Sequence, residues 1–554
     1  MFKQLVMHRI CQLLLFSGPL ISLIISPSAN YDPISLIKMV ALSTVSFSLL
    51  LMFSQIVSLS NFKEFRTIYI LIALFVFFSL ITFIFSGAPL NQQIWGQFGR
   101  NTGLLTYFSF CIVLLLATVV SLPDFGIRLL KTLLLTAIPM TLYCLVQLSG
   151  NDPISWSSFD TFGTLGNINF LSAFFGLSTI TAFSILLMPK IESKWKALSL
   201  ILILIDIPIT WSTGSIQGIM MIVAGISIII LLKLSVAKSA LLKVSTFSML
   251  LVVGLVMTLF GLRNRGPLAA LLFQPSVTFR EDYMHAGWEM TLMKPFIGVG
   301  IDSYGDWYRQ ARGEISTLRT GPDRTANTAH NIFLDISSGG GFPLGLVFVS
   351  IFLYCAYRSL KFALSLKQFD PVFTGLFSTW VGYVVQALVS INQIGVGIWG
   401  FLLTGALLSY THMNSKQESL ASSDRKLSVK LKGKLLPPKI ALLAFLGAFL
   451  GFSAAFLPLR ADIEFKKSGL GSLQDAIKSA EAMGAPIFYM ELTLERALKE
   501  QSASARDIAF SITAKQPRSY FAWLAIANLT NSSLSENEEA NQRLKLLDPF
   551  NPRY

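Results

Sequence analysis

The sequence predicts an all-α polytopic membrane protein with about 12 to 13 transmembrane helices, a large extracytoplasmic loop and a C-terminal α-helical repeat domain. Of its 554 residues, 53% are hydrophobic and only 13% are charged, whereas about a quarter of the residues in soluble domains are charged. Apolar runs long enough to cross about 30 Å of hydrocarbon recur along the chain. Two long polar stretches interrupt or follow these runs. The low share of charged residues and the repeated apolar runs together exclude a soluble globular protein.

Thirteen apolar runs are candidate spans. They fall at 10–26, 37–60, 67–86, 103–122, 127–149, 166–188, 195–212, 215–233, 240–262, 341–360, 371–391, 392–411 and 438–458. Two runs nearly touch at Ser212 to Gly214 and again near Ile391, where a re-entrant pair is the alternative to two full spans. The first run follows Lys3 and Arg9 without a small-residue cleavage site, which indicates a retained helix rather than a signal peptide.

The distribution of basic residues predicts the orientation of the helices. In a soluble protein the formal charge of +14 would suggest a nucleic-acid partner, but here the basic residues are concentrated in alternate connections between spans. With a cytoplasmic N-terminus, the inside connections carry Lys3, Arg9, Lys63, Arg66, Arg128, Lys131, Lys190, Lys194, Lys196, Lys233, Lys238, Lys243, Arg358, Lys361, Lys367 and a basic segment from Lys416 to Lys439. This asymmetry accounts for much of the charge, and no nucleic-acid partner is expected.

The predicted topology divides the chain into four parts. Nine spans fill 1–262, an extracytoplasmic loop covers 263–340, further spans cover 341–458, and 459–554 form an extracytoplasmic tail. Basic residues on the translocated side of the loop depart from the usual bias, although long loops cross largely regardless of charge. They are Arg263, Arg265, Arg280, Lys294, Arg309, Arg312, Arg319 and Arg324. An anionic substrate would explain them.

The tail predicts a helical repeat. Patterns such as "MELTLERALKE" and "ARDIAFSITAKQP" are typical of amphipathic helices. Pro486, Pro517 and Pro549 are spaced 31 and 32 residues apart, close to the 34-residue tetratricopeptide period. Two or three degenerate repeats would fit. Because helical repeats usually form binding surfaces, a protein partner or acceptor is expected at the tail.

Two features of the predicted spans bear on function: four cysteines and one acidic residue. The four cysteines lie within apolar runs and lack the spacing of a disulfide framework or a zinc site, so we expect them to be small core residues. They are Cys11, Cys111, Cys144 and Cys355. Asp206 lies deep within a span, where a carboxylate indicates either a function or a hydrogen-bonded structural role beside the kink at Pro208.

The loop segment "SVTFREDYMHAGWEMTLMKPFIGVGIDSYGDWY", at 276–308, contains the first candidate chemistry. Arg280, Met284 and Trp288 recur on one face of a predicted helix. Pro295 is expected to end that helix. The "GVG" at 298–300 predicts a turn whose backbone can approach a ligand closely. An amphipathic helix lying on the membrane surface is the alternative interpretation.

A second candidate is His330, one of only four histidines in the chain. The preceding "NT" at 327–328 supplies capping residues, and "HNIFLDI" predicts a helix. In the first turn the imidazole would feel the positive end of the helix dipole, which favours its neutral form. A neutral imidazole can act as a general base. The alternative is a histidine that anchors the helix at the membrane interface.

These motifs together resemble a known family. An arginine, a tryptophan eight residues later, "KPFIGVGIDSY" and then "AHNIFLDISSGGGFPLGL" at the start of a span are similar to the O-antigen ligase and O-antigen polymerase superfamily. That superfamily includes bacterial protein O-oligosaccharyltransferases. "GQFGRNTGLLTY" at 96–107 and "GTLGNINFLSAFF" at 163–175 resemble its short outer-loop motifs. The resemblance extends over roughly 90–410 and is most specific at 280–348.

The resemblance implies a fold related to class C glycosyltransferases and a location in the bacterial cytoplasmic membrane. It implies transfer of a glycan from an undecaprenyl diphosphate carrier to a polysaccharide, lipid or protein hydroxyl, without a cofactor or metal. His330 would be the catalytic base and Arg280 would bind the departing diphosphate. Trp288 and Asn331, within the matching motifs, would contact substrate.

One departure from the family pattern stands out. Relatives often carry a second arginine in an "SRG"-like motif, but "TWSTGSIQGIMM" has Ile216 after Ser215. Arg100 is the first candidate to replace that arginine, followed by Arg263 or Arg265. For all three, snorkelling at the membrane interface is the alternative interpretation.

Two other protein classes compete with the transferase. A flippase or transporter for lipid-linked glycans would place charged residues along its mid-membrane interface, and a membrane-anchored scaffold would act through its tail. Apart from Asp206 the predicted spans are nearly free of charge, whereas the candidate functional residues gather in one loop. This arrangement favours chemistry on a lipid head group.

Overall fold

The computed structural model describes residues 2–56, 63–156, 160–415, 437–468 and 471–553. Thirteen apolar helices form a bundle within these ranges. They are α1 Phe2–Leu23, α2 Ser35–Phe53, α3 Arg66–Phe85, α5 Leu104–Val119, α6 Phe125–Leu148, α7 Ile168–Leu186, α8 Ser193–Ser212, α9 Ile216–Ser235, α10 Ala240–Leu262, α15 Ile332–Ser365, α16 Pro371–Val389, α17 Ile394–Ser415 and α18 Pro438–Ser468. Twelve are long and apolar enough to cross a membrane, and α5 is shorter.

The remaining helices lie outside the bundle. They are α4 Leu90–Trp95, α11 Ala269–Leu272, α12 Pro275–Met293, α13 Tyr304–Ala311, α14 Glu314–Thr320, α19 Leu473–Ala480, α20 Ile487–Lys499, α21 Ser504–Lys515, α22 Tyr520–Asn528 and α23 Leu534–Leu547. No β-strand occurs in the described ranges. The protein is therefore an all-α polytopic membrane protein, as predicted. Each predicted run falls on one apolar helix, except that 57–60 of the second run, like 416–436 of the predicted basic segment, lie outside the described ranges.

The centre of the bundle is α17. Its Trp399 is fully buried and donates from Nε1 to the Ser22 hydroxyl at 2.8 Å, while Phe110 of α5 stacks on Phe401 with ring centroids 4.5 Å apart. At the periphery, α10 buries only Gly261 and contacts α9 and α11. Its exposed leucines, valines and methionines suit a lipid environment.

Two charged residues inside the bundle have hydrogen-bond partners on neighbouring elements. Asp206 accepts hydrogen bonds from Thr141 at 2.7 Å and Ser178 at 3.1 Å, which supports the structural interpretation of this acid. Lys38 donates to three carbonyl oxygens at the end of α1, at 2.7–3.0 Å. All four cysteines are buried, as expected of core residues.

A pair of glycines fixes α18 against α2. A Cβ on Gly447 would lie 2.4 Å from the Phe47 carbonyl, and one on Gly451 would lie 2.2 Å from that of Ser43. This Gly-x-x-x-Gly spacing allows two helix backbones to approach closely. Because α18 continues into the tail, the same contact locates the tail relative to the bundle.

The tail consists of α19 to α23, and each helix packs against the next. It has its own apolar core, which includes Leu494, Ile512, Ile526 and Leu544. This confirms the helical character of the tail. Its assignment as a tetratricopeptide repeat stays a prediction.

The structure breaks α15 near its start. Gly341 has a φ of +72°, so the short segment before it and the long span after it are separate helical pieces. The break frees backbone groups that bind the "GVG" turn: Val299 N–H donates to the Ser338 carbonyl and Gly300 N–H to the Gly339 carbonyl, both at 2.9 Å. The structure therefore gives the turn a packing role against α15, and the close approach of a ligand to this turn stays a prediction.

Candidate functional site

His330 lies immediately before α15 rather than within its first turn. Asn331 is the N-cap, and its side-chain oxygen accepts from the Leu334 N–H at 3.1 Å. His330 itself has a φ of +53°, in the left-handed region that non-glycine residues seldom occupy. The expected cap at 327–328 and the first-turn position of His330 are therefore wrong. The reason is that Asn331 is the residue whose side chain closes the helix.

The imidazole is nevertheless neutral, as the sequence predicted, but for a different reason. Burial, and after it the positive charge of Arg280, lower the pKa of His330 to about 4. Both effects disfavour the imidazolium ion. At neutral pH the ring is therefore unprotonated and has the form that a general base requires.

The contacts of the ring indicate which nitrogen is free. Nδ1 lies 3.4 Å from the Thr328 carbonyl oxygen and 3.5 Å from the Thr328 hydroxyl; because the carbonyl can only accept, the nearer contact favours a hydrogen on Nδ1. Nε2 has no hydrogen bond with any residue in the described ranges. One face of the ring lies against Tyr283, with centroids 5.1 Å apart. The lone pair of Nε2 is thus available to an incoming hydroxyl.

Hydrogen bonds hold the backbone around His330 in its unusual conformation. The Ala329 N–H donates to the Asp335 carboxylate at 2.7 Å, and the His330 N–H donates to the Thr328 hydroxyl at 2.8 Å. A non-glycine residue in the left-handed region costs about 1–3 kcal/mol. Such a conformation persists only when its surroundings determine it, and it occurs often at functional sites.

Arg280, on α12, is the second component. Its Nε is buried without a hydrogen-bond partner, and no residue of the described ranges forms an ion pair or hydrogen bond with its guanidinium. Burial lowers its pKa. A buried N–H group of a cation is costly to leave without a partner, so an anion bound to this half-buried side chain would recover the lost interaction.

Most other basic residues of the loop already have partners. Arg309 and Arg312 pair with Asp548 of the tail at 2.9 and 2.8 Å. Arg319 pairs with Asp282, and the Arg324 guanidinium lies 4.3 Å from the centre of the Phe279 ring. Arg309 and Arg312 thus join the loop to the tail, and the expectation that the loop's positive charge serves an anionic substrate stays a prediction.

Arg100 is also engaged. It forms an ion pair with Asp302 and donates to the Asn327 carbonyl, and Asp302 in turn accepts from the Gln97 N–H at 2.7 Å. Since Asn327 is three residues before His330, Arg100 holds the segment that carries the histidine. This contact gives it a positioning role in the structure.

The remaining residues that were predicted to contact substrate lie at different places in the structure. Arg263 and Arg265 are exposed at the end of α10 and have no ion-pair partner in the described part of the chain. Trp288 is 47% exposed, and the edge of its ring contacts Phe342 at a centroid distance of 5.7 Å. Asn331 caps α15. The structure therefore groups Arg280 and His330, and ties Arg100 to the same segment.

The stretch without the expected arginine lies where two helices begin. Ser215, the N-cap of α9, donates to the Asn169 side chain of α7 at 2.8 Å. Gln217 is buried, and neither polar atom of its carboxamide has a partner in the described ranges. The "GTLGNINF" motif and the "TGSIQG" stretch thus meet in space.

Sequence reasoning missed several residues around the histidine. Tyr283 stacks near the ring, while Thr328 and Asp335 hold its backbone. All three stand within the quoted motifs, so their proximity to His330 was a usable signal. Asp302, the partner of Arg100, is 202 residues away in the chain, and no sequence pattern linked the two.

The structure thus defines the class of protein: a polytopic membrane protein with a neutral histidine near an arginine that has no partner in the described ranges. Comparison with known proteins narrows this class. Residues 197–349 match the family model described as O-Antigen ligase, a segment that contains both Arg280 and His330. No curated protein matches the chain. The match supports the O-antigen ligase superfamily and a glycan-transferring enzyme.

Proposed function

We propose that this protein transfers a glycan from undecaprenyl diphosphate to an acceptor hydroxyl at the outer face of the bacterial cytoplasmic membrane. One observation carries the proposal: the unpaired Arg280 lies near enough to His330 to lower its pKa. The site therefore offers a cation for diphosphate beside a nitrogen that accepts a proton. Both residues lie within the segment similar to O-antigen ligases.

The reaction follows from these two groups. His330 Nε2 takes the proton of the acceptor hydroxyl as its oxygen attacks the anomeric carbon. The bond from that carbon to the diphosphate breaks, and the diphosphate leaves with the bonding electron pair. Negative charge grows on the departing oxygen, where a fixed guanidinium stabilises it most in a site of low polarity. A single attack of this kind inverts the anomeric configuration.

Donor binding would also prepare the base. Alone, an imidazole with a pKa of about 4 is a weak base. The negative diphosphate would neutralise the charge of Arg280 and raise the pKa of His330 towards the working pH. The base is then strongest when the donor is present, which limits unproductive protonation in the empty enzyme.

The orientation in the membrane is part of the proposal. Basic connections between spans favour a cytoplasmic N-terminus. An odd number of spans before residue 263 then puts the loop and the tail outside. The resemblance to O-antigen ligases implies that lipid-linked glycans are displayed on that side of the membrane. The acceptor is a polysaccharide, a lipid or a protein.

Replacement of His330 by alanine tests the proposal. We expect transfer to fall about 100- to 10,000-fold, the usual contribution of a general base, in purified protein supplied with a lipid-linked oligosaccharide. His285→Ala is the matched control, because His285 lies in the same loop with a side chain that is 60% exposed. Full transfer by His330→Ala would exclude His330 as the base, whereas no transfer by the unaltered protein would favour a flippase or a scaffold.

A further inference from the structure

A large cleft separates the bundle from the tail. Its volume is about 830 Å³, which is within the usual range of ligand sites. On the bundle side it is lined by α4 and the turn that follows, and on the tail side by the segment from the end of α19 into α20 and by the end of α21. We call this space the interdomain cleft; it is lined by 89–92, 95–98, 480–491 and 515–516 together with Asp32, Leu36, Asn101, Asp306, Asn327, Pro458 and Asp462.

The interdomain cleft reaches the segment that carries the candidate base. Asn327 lines it, and the carbonyl of this residue accepts from Arg100. Gln97 also lines it, while its backbone N–H is bound to Asp302. A ligand in the cleft would therefore lie beside the hydrogen-bonded network that positions His330.

The interdomain cleft differs in charge from the proposed diphosphate site at Arg280. Glu481, Glu491 and Asp306 line it, whereas Lys515 is the one basic side chain among the described lining residues. Burial raises the pKa of Asp306 to about 7 and also raises that of Glu491, a cost that a bound cation would relieve. An acidic lining repels diphosphate, so this space suits the acceptor and not the donor.

The lining also indicates the kind of acceptor. Sugar-binding clefts usually offer a free aromatic face, but Trp95 is 9% exposed and Phe98 is stacked on Phe488 at 4.3 Å. The exposed apolar residues are aliphatic: Met483 is 76% exposed and Leu90 58%. Aliphatic contacts with nearby carboxylates suit a polypeptide that carries apolar and basic side chains.

Buried acceptor atoms support a ligand that donates hydrogen bonds. The side-chain oxygens of Gln97 and Asn101 are buried without a partner in the described ranges, and both residues line the cleft. Backbone N–H groups of an extended peptide would satisfy them, since buried polar groups are usually hydrogen-bonded.

We infer that the interdomain cleft binds an extended, neutral or basic polypeptide segment whose serine or threonine hydroxyl is presented to His330. This inference rests on the proposed function, because the hydroxyl has a purpose only if a glycan is transferred to it. It names a protein acceptor and assigns its recognition to the contact between tail and bundle.

Binding of synthetic peptides to the full-length protein in detergent tests the inference without any donor. Fluorescent peptides with one serine and a basic, neutral or acidic net charge would be compared by anisotropy. We expect the basic peptide to bind most tightly and the acidic one least. Glu481→Lys should weaken the basic peptide about tenfold or more, because like charges placed together at an interface are strongly unfavourable.

Glu538→Lys is the matched control, with the same charge change at an exposed position of α23 outside the cleft, and it should bind as the unaltered protein does. A neutral oligosaccharide that binds, with its affinity lowered by Met483→Asp, would overturn the inference in favour of a glycan acceptor. Equal binding of the three peptides, or no binding, would also overturn it.

The two proposals fail in different ways. His330→Ala should bind the basic peptide normally and transfer glycan about 100- to 10,000-fold more slowly. Normal transfer by that variant contradicts the proposed function, whereas a peptide affinity that Glu481→Lys leaves unchanged contradicts only the assignment of the interdomain cleft.

Discussion

At the scale of single residues, the chemistry of His330 depends on what surrounds it. An exposed histidine titrates near 6.5, but burial and the neighbouring Arg280 lower the pKa of this one to about 4. Arg280 itself, whose Nε is buried, has no hydrogen-bond partner in the described ranges. One local environment therefore supplies a neutral base and an unsatisfied cation.

The pH dependence of the reaction should report this coupling. In the free enzyme His330 is neutral above its pKa and charged below it, so we expect kcat/KM to stay level as the pH falls and to decline only near pH 4. Arg280→Gln removes a positive charge and should move this decline to higher pH. It should also lower kcat/KM, because the diphosphate loses a ligand.

Arg280→Lys is the control for that experiment, since it keeps the charge and loses the planar fork. The pH at which its kcat/KM declines should stay close to that of the unaltered enzyme, while kcat/KM itself is reduced at every pH. An acidic limb near pH 6.5 in the unaltered enzyme would contradict the environment described for His330.

Prediction from sequence worked for some residues and not for others. His330 and Arg280 were found because they stand in recognisable motifs. The tail partner of Arg309 and Arg312 was not found, because Asp548 is more than 230 residues away and lies outside every motif. Loop arginines therefore looked available for substrate when most of them were engaged.

At the scale of elements, the site depends on a backbone contact between the "GVG" turn and α15. Gly298 has a φ of +72°, and a Cβ there would lie 2.2 Å from the Gly339 carbonyl oxygen. Two hydrogen bonds join the segments beside that contact. Because His330 precedes α15 directly, the turn also fixes where the histidine stands.

Gly298→Ala should therefore displace α15 as well as strain the turn. We expect lower thermal stability in detergent, by about 2 kcal/mol or more from the unfavourable φ and the clash together, and a lower rate of transfer. Gly99→Ala is the control: its φ is +77° but nothing lies within 4 Å of an added Cβ, so it isolates the cost of the backbone angle. Equal effects in the two variants would contradict a role for the contact.

The start of α15 was predicted less well than the helix itself. Period and hydrophobicity placed the span after 341 correctly. The break at Gly341 and the cap at Asn331 were missed, because "AHNIFLDISSGGGF" contains several residues that can cap or end a helix. Only the neighbouring backbone decides among them.

At the scale of the whole molecule, the tail is bound to the loop through buried charges. Arg312 and Asp548 are both fully buried, and Arg312 also donates to the carbonyls of Pro322 and Arg324 at 2.9 Å. A buried ion pair of this kind contributes little net stability, because removing two charges from water is costly. Loss of one partner is nevertheless strongly destabilising, because the other charge is left buried and unpaired.

Asp548→Asn tests this interface. We expect it to cost about 3–5 kcal/mol, the usual effect of breaking a buried pair, and to make the tail more sensitive to limited proteolysis. Asp507→Asn, at a side chain that is 84% exposed, should change neither property. A tail that resists protease equally in both variants would show that other contacts hold it.

The bundle and the helical tail could be predicted from composition and periodicity, since both depend on local patterns. Their relative position could not, because it depends on pairs far apart in the chain. Gly447 and Gly451, for example, mark a close helix contact only once α2 is known to be their partner.

The unbroken course of α18 sets a distance. Its 31 residues extend about 46 Å at 1.5 Å per residue, against about 30 Å of hydrocarbon. The remaining 16 Å or so holds the tail at a fixed distance from the hydrocarbon of the bilayer. An acceptor anchored in the same membrane would be modified only where its chain passes at that height, so geometry would select the site of glycosylation even where the local sequence does not.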